Sequence, residues 1–291
     1  AGLHQLLHSL DTEKRLNGFG HLLAAGHITN LLRQRLEITA HLARHPEIRD
    51  EPIVKPIFII GAPRTGTTVT HHLMSQDPRM RYPFTWECDE PYPPISPATM
   101  QEDPRIARSQ KNCERVIKMA PNIEAAHPIG AWEAQECALF MALEFASKTF
   151  FAMFNCELYD DWLSRQDMGW VYERHKLMLQ YMQSGGLRPR EAWLLKTPPH
   201  MSKIDEILTV YPDARFITTY REPTDVVVSG TSLCGTIIQM VQDEIDWARL
   251  GQHVCSDIER EMRANVAQRK KHADKTAQFI DFPMETVVRE P

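Results

Sequence analysis

The segment that most constrains this chain is an apolar run at residues 57–60, followed by a turn between two glycines. The run is rich in β-branched side chains and is typical of a buried strand. Gly61 and Gly66 bound the turn, and a helical pattern begins at Val69. A strand, a tight turn and a helix in this order aim backbone N–H groups and a helix N-terminus at one point. The segment therefore predicts a cradle for an anion.

The turn has the G-x-x-x-x-G spacing of a phosphate loop but lacks the lysine of that loop. Thr67 stands where the lysine of an ordinary ATPase follows the second glycine, and Arg64 is the cation of the turn. The predicted ligand is therefore a phosphate held differently from the β- and γ-phosphates of ATP. Taken alone, the same residues also fit a plain turn before a helix capped by threonines. Motifs elsewhere in the chain are needed to distinguish a phosphate loop from such a turn.

The composition limits what kind of anion-binding protein this is. The chain has 291 residues, 43% of them hydrophobic, and a formal net charge of −5, which argues against general nucleic-acid binding. The six cysteines are scattered without metal-site spacing, so we expect reduced thiols in a cytoplasmic protein and no metal ion. The most apolar stretch, 137–154, contains Glu144 and Lys148 and predicts a buried helix rather than a transmembrane segment.

The chain divides into an N-terminal helical segment and an α/β domain. Residues 1–50 have helical periodicity and end in a polar linker, and residues 51–291 contain the strands. Further strands are predicted at 192–195 and 214–220, each followed by a helical pattern, with a mainly helical insertion at about 101–184. Strands that alternate with helices predict parallel β-α-β units in a three-layer α/β fold. We expect the C-terminus to be incomplete.

Functional groups collect at the carboxyl ends of the three predicted strands. The first end carries the loop 61–68, the second the sequence from Lys196 to His200, and the third the sequence from Arg221 to Ser229. In open parallel sheets, ligands bind beyond these ends. Ser229 lies about two helical turns beyond Arg221, so a guanidinium and a hydroxyl can clamp a second phosphate. The spacing thus predicts a ligand with two phosphate groups.

Together these motifs resemble the sulfotransferases that use 3′-phosphoadenosine 5′-phosphosulfate (PAPS). The shared pattern is Arg-Thr-Gly-Thr-Thr after a strand, Lys-Thr-Pro at a second strand end and Arg-x-Pro-x-x-x-x-x-Ser after a third, over residues 55 to about 235. The first loop, and Tyr-Pro-Phe-Thr-Trp-Glu at 82–87, are most similar to a branch common in bacteria. The resemblance implies an α/β sulfotransferase fold with a phosphate-binding loop and a helical insertion.

The resemblance also implies roles for individual residues. The residues that match the loop for the 5′-phosphosulfate are Arg64, Thr65, Gly66, Thr67 and Thr68. Arg221 and Ser229 match the residues that hold the 3′-phosphate, and Lys196 matches a strand-end lysine near the sulfuryl group. Arg64 stands where many members carry a lysine, so its role in stabilising the leaving group is inferred.

The acceptor has to lose a proton, so a general base is expected near Lys196. His200 is the first candidate because it follows the same strand end, although familiar members place their histidine directly after Lys-Thr, where Pro198 stands here. Glu87 is the rival because it comes soon after the first loop and its helix. The weaker candidates, which also fit a structural helix face, are His127, Glu133 and Glu136.

The expected function is transfer of a sulfuryl group from PAPS to a hydroxyl or amine of a small-molecule, lipid or glycan acceptor. Sulfuryl transfer needs positioning and cations more than covalent catalysis, and no metal ion is required for it. A P-loop NTPase or small-molecule kinase is the alternative, and the missing loop lysine counts against it. A catalytically silent nucleotide-binding protein also stays open, as does assembly into a homo-oligomer.

Overall fold

The computed structural model describes residues 1–121, 123 and 128–289. The strands are β1 (Ile57–Ile60), β2 (Met80–Arg81), β3 (Ala192–Lys196), β4 (Arg215–Tyr220) and β5 (Phe279–Pro283). The helices are α1 (Gly2–Glu13), α2 (Gly18–Arg44), α3 (Thr67–Met74), α4 (Thr85–Asp89), α5 (Pro104–Met119), α6 (Cys137–Met141), α7 (Thr149–Phe154), α8 (Glu157–Leu163), α9 (Gly169–Ser184), α10 (Ile204–Val210), α11 (Pro223–Ile238), α12 (Trp247–Lys271) and α13 (Met284–Arg289).

The five strands form one parallel sheet in the order β2-β3-β1-β4-β5. Ile59 pairs with Lys196 on one side of β1, and Ile60 pairs with Thr218 on the other side. This confirms the predicted α/β fold and places β1 at the centre of the sheet. The sequence patterns did not indicate β2 or β5, which form the two edges.

Strand β1 is apolar throughout because both of its faces are covered. Phe58 and Ile60 face the large core formed with the N-terminal helices and the insertion, while Ile57 and Ile59 face a smaller cluster that includes Met74 at the end of α3. A parallel strand buried on both faces needs this continuous apolar run. The turn that follows β1 therefore emerges from a rigid, fully buried support.

The apolar stretch 137–154 is not the single buried helix that its composition predicts. It is broken into α6, a 3₁₀ turn at Ala142–Glu144 and α7. The break lies at Phe145, whose φ of 51° is left-handed and ends the helical hydrogen bonding. Among the described helices, none is both long and apolar enough to cross a membrane.

The N-terminal helices pack on the same core as the α/β part. Leu6 of α1 and Leu31 of α2 belong to the cluster that contains Phe58 of β1. The division at residues 50 and 51 stays a prediction, since shared packing does not say how independently the two parts fold.

Candidate active site

The carboxyl ends of β1, β3 and β4 meet at one edge of the sheet. The three strands are adjacent and parallel, and they end at Ile60, Lys196 and Tyr220. The loop after each strand therefore enters the same region, as the sequence analysis expects for a ligand site. The side chains described below belong to these loops and to the helices that follow them.

The loop after β1 needs its glycines for steric reasons. Gly61 has a φ of 148°, and a Cβ atom there would lie 2.4 Å from the carbonyl oxygen of Thr219 on β4. Gly66 has a φ of 92°, a conformation that side chains rarely adopt. Thr65 braces the turn from inside, because its Oγ1 donates to the Ala62 carbonyl at 2.7 Å and lies 3.0 Å from Thr219 Oγ1. The Thr65 hydroxyl thus holds the loop in shape.

Helix α3 begins directly at the end of this loop. Its N-cap residue is Gly66, which has no side chain to accept a hydrogen bond from the first turn. The N–H groups at a helix N-terminus and the helix dipole attract an anion. Arg64, with a left-handed φ of 68°, adds a guanidinium to the same loop. These are the components of the predicted anion cradle.

The third strand end reaches this loop through Ser229. The Arg64 Nε atom donates to Ser229 Oγ at 3.1 Å, so the loop after β1 and helix α11 are in direct contact. Arg221 lies at the start of the same segment and pairs with Asp225 at 3.0 Å, and its side chain is 30% exposed. The binding roles expected of Arg221 and Ser229 stay predictions.

Lys196 stands between the loop and a carboxylate. Its ammonium group donates to Thr68 Oγ1 at 3.1 Å and forms an ion pair with Glu136. The other carboxylate oxygen of Glu136 accepts a hydrogen bond from Thr197 Oγ1 at 3.0 Å. Lys196 is buried, whereas the Glu136 side chain is 22% exposed. A cation, a carboxylate and the start of α3 therefore lie side by side at the end of β3.

His200 lies elsewhere, in the core beneath the sheet edge. It is completely buried, its Nδ1 lies 2.7 Å from the Tyr172 hydroxyl, and its ring packs edge-on against Phe58. Burial and the neighbouring His175 hold its pKa well below the usual value. The expectation that His200 is the general base does not fit this position, because a side chain without exposed surface has no route to an acceptor.

Glu87 does not face the site either. Its carboxylate forms a bidentate ion pair with Arg81 at 2.5 and 2.7 Å, and both side chains are almost fully buried. The same carboxylate accepts from the Phe84 backbone N–H at the start of α4. Glu87 therefore stabilises this helix start and the edge strand β2, and these contacts give no support to its expected role as rival base.

Most of the chain, residues 56–291, matches the profile of the Sulfotransferase family. The chain belongs to this family. Over 187 residues it is 27% identical to the omega-hydroxy-beta-dihydromenaquinone-9 sulfotransferase Stf3 of Mycobacterium bovis and to that of Mycobacterium tuberculosis. The aligned part is 61% of this chain and 45% of Stf3, so the chain spans less than half the length of these curated relatives.

Two solved sulfotransferase structures resemble this chain over its whole length. STF9 from Mycobacterium avium superposes with a TM-score of 0.89 at 27% identity, covering 100% of this chain and 74% of STF9. STF1 from Mycobacterium tuberculosis H37Rv superposes with a TM-score of 0.88 at 27% identity, covering 100% of this chain and 78% of STF1. The sulfotransferase fold and the bacterial-type resemblance inferred from the motifs are thereby confirmed.

The structure brings Glu136, a weaker candidate from the sequence, next to Lys196. It lies 60 positions before Lys196, just ahead of α6, and spacing along the chain does not reveal that the two meet. Glu133, another weak candidate, pairs instead with His72 on α3 at 3.1 Å. His127 lies outside the described residues. The sequence offered one indication of this pair: Glu136 is an acidic residue directly before an apolar stretch, and Lys196 is a lysine at a strand end.

Proposed function

We propose that this chain transfers a sulfuryl group from PAPS to a hydroxyl or amine of a small-molecule, lipid or glycan acceptor. The observation that carries the proposal is the position of Lys196, which contacts both Thr68 at the start of α3 and the carboxylate of Glu136. A single cation thus lies between an anion cradle and a group that can accept a proton. Family membership supports the same reaction class.

On the donor side, the loop after β1 suits a 5′-phosphosulfate. The glycine conformations, the N-terminus of α3 and the guanidinium of Arg64 all favour an anion there. Thr67 and Thr68 begin the helix, and we assign both to the 5′-phosphate. Ser229 and Arg221 would hold the 3′-phosphate, since Ser229 contacts Arg64 and Arg221 precedes the same helix.

PAPS supplies an activated sulfuryl group and a phosphate leaving group. Lys196 and Arg64 provide positive charge where negative charge develops on that phosphate, so the residues themselves supply what a metal supplies in phosphoryl transfer. Preorganised charge of this kind needs no rearrangement during the reaction. The hydrogen bond from Lys196 to Thr68 holds the ammonium group at the cradle before any ligand enters.

Glu136 is the proposed general base in place of His200 and Glu87. It is partly exposed and paired with Lys196, and it accepts a hydrogen bond from Thr197, so both of its oxygens are oriented. The acceptor oxygen would form its bond to sulfur as the bond from sulfur to the 5′-phosphate oxygen breaks, and the acceptor proton would pass to the Glu136 carboxylate. Adenosine 3′,5′-bisphosphate would be the leaving group. Glu136 is therefore both the counter-charge of Lys196 and the proton acceptor.

The substrate named for one relative supports an apolar class of acceptor, and we do not transfer the individual substrate to this chain. The name of Stf3 specifies a hydroxylated dihydromenaquinone, and we carry over only the hydroxyl on a largely apolar molecule. All six cysteines of this chain carry free thiols, which supports the predicted cytoplasmic location. Assembly into homo-oligomers remains a separate prediction.

Titration calorimetry with adenosine 3′,5′-bisphosphate and with Mg·ATP tests the proposal against an NTPase or kinase. We expect the bisphosphate to bind at least tenfold more tightly than Mg·ATP, because the loop lacks the lysine of an ATP-binding loop. Tighter binding of Mg·ATP would instead support the NTPase. Turnover of radiolabelled PAPS with a panel of phenols and alcohols then separates an active enzyme from a silent nucleotide-binding protein.

A further inference from the structure

A cavity of about 190 Å³ lies next to the proposed reaction site, between the helical insertion, the 3₁₀ turn after β3 and helix α12. Much of its wall comes from the apolar stretch 137–154 that stood out in the sequence. Its apolar lining includes Met141, Leu163, Met168 and Tyr172. From this stretch, α6 and the residues between Phe145 and α7 line the cavity.

One side of the cavity is formed by a hydrogen-bond partner of the proposed base. Thr197 lines the cavity, and its hydroxyl donates to Glu136, which is paired with Lys196. Lys196 in turn contacts Thr68 at the anion cradle. A continuous line of hydrogen bonds therefore leads from the phosphate loop to the cavity wall. For a molecule bound in the cavity, the Thr197 side is therefore the side nearest to the proposed base.

The other polar end of the cavity is built from Lys148 and Glu261. Their charged groups lie 3.3 Å apart, and Lys148 also pairs with Asp257. Burial raises the pKa of the Glu261 carboxyl group, while the neighbouring Lys148 ammonium group acts in the opposite direction. The cations that line the cavity are Lys148, Lys203 and Arg260, and each is already paired with a carboxylate. A charged ligand would therefore leave a charge unbalanced. A neutral oxygen atom suits this end.

The volume limits the size of the occupant. A cavity of ~150 Å³ in another protein holds one benzene molecule. A cavity of about 190 Å³ therefore has room for one substituted ring or two fused rings. The apolar lining favours an aromatic or alicyclic body, because burial of apolar surface drives binding.

We propose that this cavity binds the acceptor of the reaction, and that the acceptor is a neutral phenol or alcohol with one or two rings. Its hydroxyl lies at the Thr197 end, and a second oxygen at the far end hydrogen-bonds with Lys148 or Glu261. This inference rests on the proposed sulfotransferase function and narrows its acceptor class.

The experiment compares 7-hydroxy-4-methylcoumarin, which carries a carbonyl opposite its hydroxyl, with 2-naphthol, which has no second oxygen. Binding is followed by ligand fluorescence in the presence of adenosine 3′,5′-bisphosphate, and sulfation by PAPS turnover. We expect the coumarin to bind about tenfold more tightly, as one hydrogen bond to a charged group accounts for such a ratio. Equal affinity, or tighter naphthol binding, would contradict the assigned far-end contact.

Two variants of α12 test the location. Ala264→Trp places a large side chain in the cavity, and Ala267→Trp makes the same change at an exposed position of the same helix. We expect Ala264→Trp to raise the acceptor Kd and KM at least tenfold without changing the affinity for adenosine 3′,5′-bisphosphate. Ala267→Trp should match the wild type in all three measurements.

The outcomes separate this inference from the proposed function. Normal turnover and coumarin binding in Ala264→Trp would overturn the cavity assignment and leave sulfotransferase activity standing. Coumarin binding that depends on Ala264, in a chain without any PAPS turnover, would support the cavity as a small-molecule site and count against the proposed function. Failure of the wild type to bind either phenol would overturn the inference directly.

Discussion

Replacing Glu136 by glutamine tests the proposed base with almost no change in shape. Glutamine keeps an oxygen that can accept the hydrogen bond of Thr197, but it does not take up a proton at neutral pH. A positioned general base contributes about 10²- to 10⁴-fold to the rate. We therefore expect kcat with PAPS and a phenol to fall by about that factor.

The same substitution also affects stability, because Lys196 is only 1% exposed and loses its anionic partner. Breaking a buried ion pair by removing one partner costs about 3–5 kcal/mol. We expect a smaller loss, about 2–3 kcal/mol, because the Glu136 side chain is 22% exposed and solvent weakens the pair. The double variant Glu136→Gln/Lys196→Met removes both charges and should recover much of this loss while remaining inactive.

Three measurements on each variant separate catalysis from folding: single-turnover rates with PAPS, urea unfolding, and the Kd for adenosine 3′,5′-bisphosphate. Glu133→Gln is the matched control, since Glu133 pairs with His72 and lies outside the Lys196 contacts. A Glu136→Gln variant that is folded and turns over at more than a third of the wild-type rate would refute the assignment. A large loss in the control instead would transfer the role to Glu133.

Three further predictions concern the donor site and pH. Arg64→Ala removes a charged hydrogen bond worth ~1.5–3 kcal/mol, so calorimetry should show roughly 10- to 150-fold weaker binding of adenosine 3′,5′-bisphosphate; unchanged affinity would remove the loop from the site. Replacing both Arg221 and Ser229 with alanine should weaken this nucleotide far more than adenosine 5′-monophosphate, and equal losses would indicate a structural role. Burial lowers the pKa of His27 to about 4 and of His175 to about 3, so the unfolded chain binds protons below pH 6.5 that the native protein does not. These two histidines should together lower the stability by about 2–3 kcal/mol between pH 7.5 and pH 5.5, while the raised pKa of Glu261 acts in the opposite direction. Urea unfolding at the two pH values measures the net effect, and greater stability at pH 5.5 than at pH 7.5 would contradict this burial.

Local sequence determined the edge of the sheet at which the site lies. Strand β1 was predicted at its observed bounds, and β3 and β4 within one residue. The first two are apolar runs and β4 is rich in β-branched and aromatic residues, and a glycine or proline follows each strand within three residues. Parallel strands carry their loops to the same edge, so the meeting of the three loops followed from the strand assignments alone. The edge strands were missed for a physical reason. Strand β2 has two residues, and β5 is partly exposed, so neither carries a clear apolar pattern.

Only the tertiary structure decided which side chains reach the site. His200 follows Lys196 closely, yet the 3₁₀ turn at Pro198–Ser202 directs it into the core against Tyr172. Glu136, 60 positions from Lys196, arrives beside it because the insertion packs over the end of β3. Local sequence specifies where a strand ends and a helix begins. The direction of a side chain beyond that end depends on packing between distant segments, and no nearby residue encodes it.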